Sequence, residues 1–169
     1  MSLKSVQLSA LLRTVIFVLL FVAGVLVYLP WGMGIFRLRD QLDWHATGLI
    51  PLALGTYIVI RCAFAFAWEG HGTPAPFDAP RELVAVGVYR YVRNPMYWGA
   101  LLILAGQGLL FGTGWGAPLY MAIFYLCVHT FVIAYEEPTL RRKFGESYED
   151  YCRQVPRWIP RSSAWVKGR

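Results

Sequence analysis

The sequence predicts an all-α fold: a polytopic integral-membrane helical bundle of about four spans, with a short helical C-terminal tail. Three observations predict it. Residues of the set AVILMFWYC make up 57% of the 169, and charged residues only 15%, against about 25% in ordinary soluble domains. The apolar residues fall in runs of the ~20 residues that cross a bilayer. The basic residues, which give a net charge of +6, lie mostly at the chain ends and in one loop. That placement points to membrane sidedness rather than to nucleic acid. The charge shortfall excludes a solvent-exposed globule and a disordered chain. Residues 1–169 are expected to form one domain.

The first span is expected over about 8–29, its apolar core running from Thr14 to Leu29 with Arg13 snorkelling. It is longer than a signal-peptide core and lacks a small-x-small cleavage site, so it reads as a retained helix. The second span, 46–67, contains Arg61 about two turns from its end. The third, 97–111, is short and rich in glycine (Gly99, Gly106, Gly108). The fourth covers 115–135. Gly112-Thr113-Gly114 is long enough only for a tight turn, so the last two spans form an antiparallel hairpin. Gln107 within that hairpin is expected to hydrogen-bond between helices. The glycines permit close helix contact inside one bundle or between two.

Lysine and arginine set the orientation. With four spans, Lys4 and Arg13, the loop residues Arg81, Arg90 and Arg93, and eight bases of the tail share one side. Arg37 and Arg39 alone stand on the other. Thirteen against two places both termini in the cytoplasm, in the inner or plasma membrane of a cell. Two polar regions then share the cytoplasmic face. One is the loop from Trp68 to Met96, stiffened by Pro74, Pro76 and Pro80. The other is the tail from Glu136 onward. Pro138 suits a first helical turn, and Gly145 suits the stop of a helix over Thr139–Phe144. A second short helix is expected from Glu146 to Gln154, ended by Pro156. Arg157-Trp158-Ile159-Pro160-Arg161 with Trp165 reads as an interfacial anchor. Cys62, Cys127 and Cys152 form no CxxC pair, and His45, His71 and His129 show no ligand spacing, so neither a disulfide framework nor a metal site is expected.

Two short stretches carry candidate chemistry. Tyr89-Arg90-Tyr91-Val92-Arg93-Asn94-Pro95-Met96-Tyr97-Trp98-Gly99 enters the third span with cations, aromatics and a proline-fixed turn. An interfacial anchor has the same composition. Glu136-Glu137 closes the fourth span, and two adjacent acids beside an apolar run call for a cation nearby. Helix capping accounts for acids there equally well. In an antiparallel hairpin Arg93 and Glu136/Glu137 lie at similar depth. His129 is about two turns before Glu136 and shares its face. It reads as an interior histidine or as part of a wet cavity.

The pattern Arg93-Asn94-Pro95-Met96-Tyr97, then Glu136-Glu137-Pro138-Thr139-Leu140, Phe144-Gly145, Tyr148, Tyr151 and Pro156-Arg157 resembles the isoprenylcysteine carboxyl methyltransferase and phospholipid methyltransferase superfamily. The resemblance covers about 70–160 and implies an integral-membrane S-adenosylmethionine-dependent methyltransferase. The implied cofactor-binding residues are Tyr91, Arg93, Asn94, Pro95, Tyr97, Glu136, Glu137 and Tyr148, with Arg93 and Glu137 catalytic. The Gly70–Asp78 loop would wall the site. Asn94 departs from the histidine usual in the carboxyl methyltransferase branch, which leaves the acceptor open. Arg93 suits the cofactor carboxylate. A glutamate suits the ribose hydroxyls or amino group, and Tyr97, Trp98 or Tyr148 suit the sulfonium or adenine. A carboxylate acceptor needs no base. For an amine or thiol, Glu137 with a raised pKa would serve. Arg61, His129 and Trp98 are candidates for contact with a lipophilic acceptor drawn from membrane lipids. The competing readings are an NADPH-dependent lipid reductase and a non-catalytic lipid-binding relative.

Overall fold

The computed structural model describes residues 3–35, 46–70 and 82–166. The first polar loop with Arg37, Arg39 and His45, the segment from His71 to Arg81, and Lys167 and Arg169 lie outside the described residues. All regular structure among the described residues is helical. The elements are α1 (Leu3–Phe21), α2 (Leu29–Gly32), α3 (Leu49–Trp68), α4 (Pro95–Leu110), α5 (Gly116–Phe131), α6 (Glu137–Phe144) and α7 (Glu146–Gln154).

Among the described residues, three helical runs are long and apolar enough to cross a membrane: Leu11–Gly32, Ala46–Trp68 and Gly116–Phe144. The third expected span, 97–111, is a shorter apolar helix, Pro95–Leu110. With 16 residues, α4 is about 24 Å long at 1.5 Å per residue, below the ~30 Å of a hydrocarbon core. Its limits are chemical. Pro95 supplies the first turn, where a missing N–H costs nothing, and Gly112 and Gly114 turn the chain at φ 58° and 56°.

Two runs contain a π-helical stretch that the sequence reading did not foresee. Val22–Tyr28 joins α1 to α2, and Val132–Glu136 joins α5 to α6. Each ends just before a proline, Pro30 or Pro138. The N–H ahead of the proline reaches back five residues: Leu29 to the Gly24 carbonyl, and Glu137 to that of Val132. The wider turn takes up the proline ring, which would otherwise strike the carbonyl four residues back. The helix therefore continues past Tyr135, where a break was expected. Its first twenty residues suffice for a span. The segment from Glu136 to Phe144 carries two acids and three bases, which bilayer hydrocarbon accepts only at high cost.

The chain forms two compact units, 19–59 with 96–130 and 1–18 with 60–95 and 131–169. The first of these is a helical core. There α3 and α4 run antiparallel, and their glycines face one another in register. A Cβ on Gly48 would lie 2.6 Å from the Gly106 carbonyl oxygen, and one on Gly55 would lie 2.5 Å from that of Gly99. Gly108 meets Ala117 across the α4–α5 turn. The expected close packing of α4 is thus intramolecular for all three glycines. Gln107 is buried, but its Oε1 has no hydrogen-bond partner among the described residues, so the expected interhelical bond is not made by that oxygen.

The Tyr120 hydroxyl donates to the Val25 carbonyl at 2.6 Å. In the π register Val25 would be served by residue 30, which is proline and has no N–H. Tyr120 supplies the donor instead. Tyr120→Phe is expected to destabilise by about 1–3 kcal/mol, the cost of an orphaned buried acceptor, read as a lower melting temperature in detergent. An unchanged melt would refute the account.

The other unit contains α6 and α7 and the segment 82–95. Gly145 joins α6 to α7 at φ 54°, ψ −131°, a conformation that side chains resist. The two tail helices fall where Pro138, Gly145 and Pro156 place them, apart from the extra turn of α6 that follows from its continuity with α5. A Cβ on Gly145 would meet open space, so Gly145→Ala isolates backbone strain, expected to cost roughly 1–3 kcal/mol. A thermal melt of the variant checks this.

Candidate functional site

The site is built in the second-named unit, around one carboxylate. Tyr148, Tyr151 and Val155 on α7 and just beyond it form a buried cluster, with Leu83, Ala85, Leu140, Phe144 and Trp165 packed against it. This apolar base brings α6, α7 and the segment before α4 to one place. The Tyr151 hydroxyl donates to the Tyr89 carbonyl at 2.6 Å. Burial pushes the phenols of Tyr89, Tyr148 and Tyr151 above their usual range.

The tail then runs back along the motif. Arg93 N–H donates to the Pro156 carbonyl (2.9 Å), Arg161 N–H to that of Tyr91 (3.0 Å) and Trp165 N–H to that of Arg90 (2.9 Å). Asn94 Nδ2 donates to the Arg157 carbonyl at 3.2 Å, and Trp165 packs edge-on against Tyr151. The tail end was expected as an interfacial anchor. Arg157, Arg161 and Trp165 tie it to the motif.

Glu137 stands at the centre, its side chain only 5% exposed. Arg157 Nε donates to its Oε1 at 2.6 Å and Nη2 to its Oε2 at 2.9 Å. Arg93 Nη1 lies 3.0 Å from Oε1 and also donates to Cys152 Sγ at 2.8 Å. Arg141 is 3.8 Å from Oε2 and is itself paired with Glu149 at 2.8 Å. Burial alone would raise the Glu137 pKa. The Arg157 hydrogen bonds, with the charges of Arg93, Arg157 and Arg141, outweigh it and hold the carboxyl below its ordinary value. The raised pKa expected of a general base is therefore reversed. A carboxylate caged by guanidiniums stays ionised.

Arg93, Asn94, Glu137 and Tyr148 are thus brought together as the sequence pattern implied. Tyr148 is buried in the tail core, and Tyr91 is exposed. Pro95 opens α4, and Glu136 is half-buried. Tyr97, Trp98 and His129 belong to the other unit, where the His129 ring stacks with Tyr125 at 5.6 Å. Arg61 is exposed on α3. The residues not singled out in advance are Cys152 and, above all, Arg157. The Pro156-Arg157 pair was visible in the pattern, but its partner was not.

The group that fits this cluster is anionic. Three guanidiniums face Glu137, and the Arg93 side chain is only 11% exposed. Its Nε has no hydrogen-bond partner among the described residues, so a buried donor awaits an acceptor.

The phospholipid methyltransferase family matches residues 44–147. A probable protein-S-isoprenylcysteine O-methyltransferase of Oryza sativa subsp. indica is 27% identical over 164 residues, 93% of this chain and 82% of that protein. The protein-S-isoprenylcysteine O-methyltransferase of Schizosaccharomyces pombe is 36% identical over 121 residues, 69% of this chain and 50% of the relative. A methanethiol S-methyltransferase of Crocosphaera subtropica is 28% identical over 161 residues, covering 82% and 56%. No solved structure matches. With a matched stretch of more than half its length that includes Arg93 and Glu137, and an all-helical fold with apolar helices long enough to span a membrane, the chain belongs to the phospholipid methyltransferase family and is an integral-membrane methyltransferase.

Proposed function

We propose that the chain transfers a methyl group from S-adenosylmethionine to a lipophilic carboxylate dissolved in the bilayer, on the cytoplasmic side of the cell's inner or plasma membrane. The observation that carries this reading is the buried Arg93 guanidinium, whose Nε–H has no partner among the described residues. An N–H buried without an acceptor costs about 1–3 kcal/mol, and an incoming carboxylate removes that cost. The amino-acid end of S-adenosylmethionine carries such a group, and a guanidinium edge suits it.

When bound, S-adenosylmethionine supplies an electrophilic methyl group on a sulfonium. The chain supplies position and exclusion of water, which dominate an in-line displacement. Arg93 holds the carboxylate end. Glu137 and Cys152 hold Arg93. Glu136, next in the chain, is the candidate for the ribose hydroxyls or the amino group, and Tyr91 for the adenine or sulfonium. Because Glu137 is held as an anion by its arginines, it is a poor base. An acceptor that attacks already ionised then fits better than an amine or a thiol, each of which must lose a proton. O-methylation, the reaction named for the Oryza and Schizosaccharomyces relatives, is the chemistry this favours. Arg61 on α3 is the candidate partner for an anionic headgroup, and both termini face the cytoplasm.

Calorimetry on the detergent-purified protein tests the reading. S-adenosylmethionine and its demethylated product are expected to bind saturably, and Arg93→Gln to weaken both roughly 10- to 100-fold, as loss of a charged hydrogen bond implies. Binding of NADPH in their place would assign the site to reduction. Silence from all three would mark a lipid-binding relative without catalysis.

A further inference from the structure

The tail contributes a residue whose partner the sequence pattern did not name. Arg157 lies in the extended stretch after α7, 20 residues from Glu137. It meets the carboxylate with Nε and Nη2, one bond to each oxygen. That paired contact fixes the plane of the carboxylate as well as its place. Oε1, so fixed, lies 3.0 Å from Arg93 Nη1. The Arg157 carbonyl meanwhile takes the Asn94 Nδ2 donor, and the Pro156 carbonyl takes the Arg93 backbone N–H. One dipeptide of the tail therefore grips the motif at three points, two by main chain and one through Glu137. Arg93 is left with an Nε that has no partner among the described residues.

We infer that Arg157 is a positioning residue, which orients the Arg93 guanidinium for its anionic ligand by clamping Glu137. For its binding readout the inference rests on the S-adenosylmethionine reading above. It makes a claim that simple stabilisation does not: Arg157 acts through Glu137. Once Glu137 has lost its charge, removing Arg157 as well should change binding little further.

The experiment compares Arg157→Gln, Arg157→Lys, Glu137→Gln, the double variant and Arg153→Gln. Arg153 is exposed and pairs with Asp150 on its own helix. Binding of S-adenosylhomocysteine is measured by calorimetry. Arg157→Gln is expected to weaken it roughly 10- to 100-fold. Arg157→Lys should recover only part of the loss, because an ammonium lacks the fork. Glu137→Gln and the double variant should agree within about twofold, and Arg153→Gln should match wild type. Additive losses would show that Arg157 touches the ligand itself and overturn the inference, as would normal binding by Arg157→Gln.

A second measurement needs no ligand. Cys152 is held by the same Arg93 guanidinium, so loosening Arg93 should expose its sulfur. In a Cys127→Ser background, alkylation of Cys152 by iodoacetamide is followed by mass spectrometry. It is expected to be several-fold faster in Arg157→Gln than in wild type or Arg153→Gln. If wild type binds no S-adenosylhomocysteine but this acceleration appears, the cofactor reading fails and the positioning role stands. If the alkylation rate does not change, the positioning role fails even where the cofactor binds.

Discussion

Glu137→Ala is expected to be the most damaging single change outside the helical core: about 3–5 kcal/mol of stability lost, together with cofactor binding. One carboxylate answers three guanidiniums, at 2.6, 3.0 and 3.8 Å. Without it Arg157, at 30% side-chain exposure, can turn to water, whereas Arg93, at 11%, cannot readily do so. The cost therefore falls on a buried charge with no counterion. At 2–4 °C per kcal/mol for a chain of this size, the melting temperature should fall by roughly 10 °C. A variant melting within 2 °C of wild type would mean that water already shares the site. Glu137→Gln keeps the shape and removes the charge, so it should cost less while still releasing Arg93.

The same carboxylate sets an acid limit. Its pKa is lower folded than unfolded. Its contribution is therefore complete above the unfolded value, near 4 for a glutamate, and fades as pH falls through the folded one. Wild type should lose stability on acidification below about pH 5 more steeply than Glu137→Gln does. Parallel slopes would remove Glu137 from the account.

The second large effect is steric. Gly55→Ala places a methyl group 2.5 Å from the Gly99 carbonyl oxygen, 2.8 Å from the Ile103 nitrogen and 2.9 Å from the Leu102 Cβ. Two of these three atoms are backbone and cannot swing away, so α3 and α4 must part. A cost of about 1–3 kcal/mol is expected, and more for Gly55→Leu. Gly24→Ala is the control, since a Cβ there meets nothing within 4 Å. The two alanine variants should separate clearly in thermal melts. Equal behaviour would mean that the glycine faces do not set the helix spacing.

What was legible in the sequence was what local chemistry decides. Apolar runs mark the helices that cross, and Gly112 and Gly114 mark the turn between α4 and α5. Pro138, Gly145 and Pro156 punctuate the tail closely enough to place α6 and α7. The π segments were hidden, because a proline inside an apolar run signals an interruption without saying how the backbone absorbs it. The shortness of α4 was legible between Pro95 and the Gly112-Thr113-Gly114 turn, whereas its start at Pro95 was not, because composition does not report where the first turn begins. At the site, Arg93, Asn94 and Glu137 were legible as neighbours through their pattern. The reversal of the Glu137 pKa was not. It depends on Arg157 and Arg141, and nothing in residue order says that a chain leaving α7 will come back to meet α6. Arg157 thus read as an anchor, since an arginine beside a tryptophan is common at a membrane surface.

The hydrogen bonds between the motif and the tail have a consequence in time. Arg90 and Trp165 are 75 residues apart, and the segment between them includes α4 and α5. During synthesis the apolar helices can enter the bilayer as they emerge, whereas the Arg93–Glu137–Arg157 cluster has to wait for residue 157 and its backing for residue 165. Until then Arg93 has no tail carbonyl for its backbone N–H, and Glu137 lacks its closest partner. The nascent chain is therefore inserted first and competent last. A ribosome stalled near residue 155 would hold a membrane protein with no finished site. Long-range closure of this kind is slow compared with helix formation, so the appearance of binding should lag behind insertion.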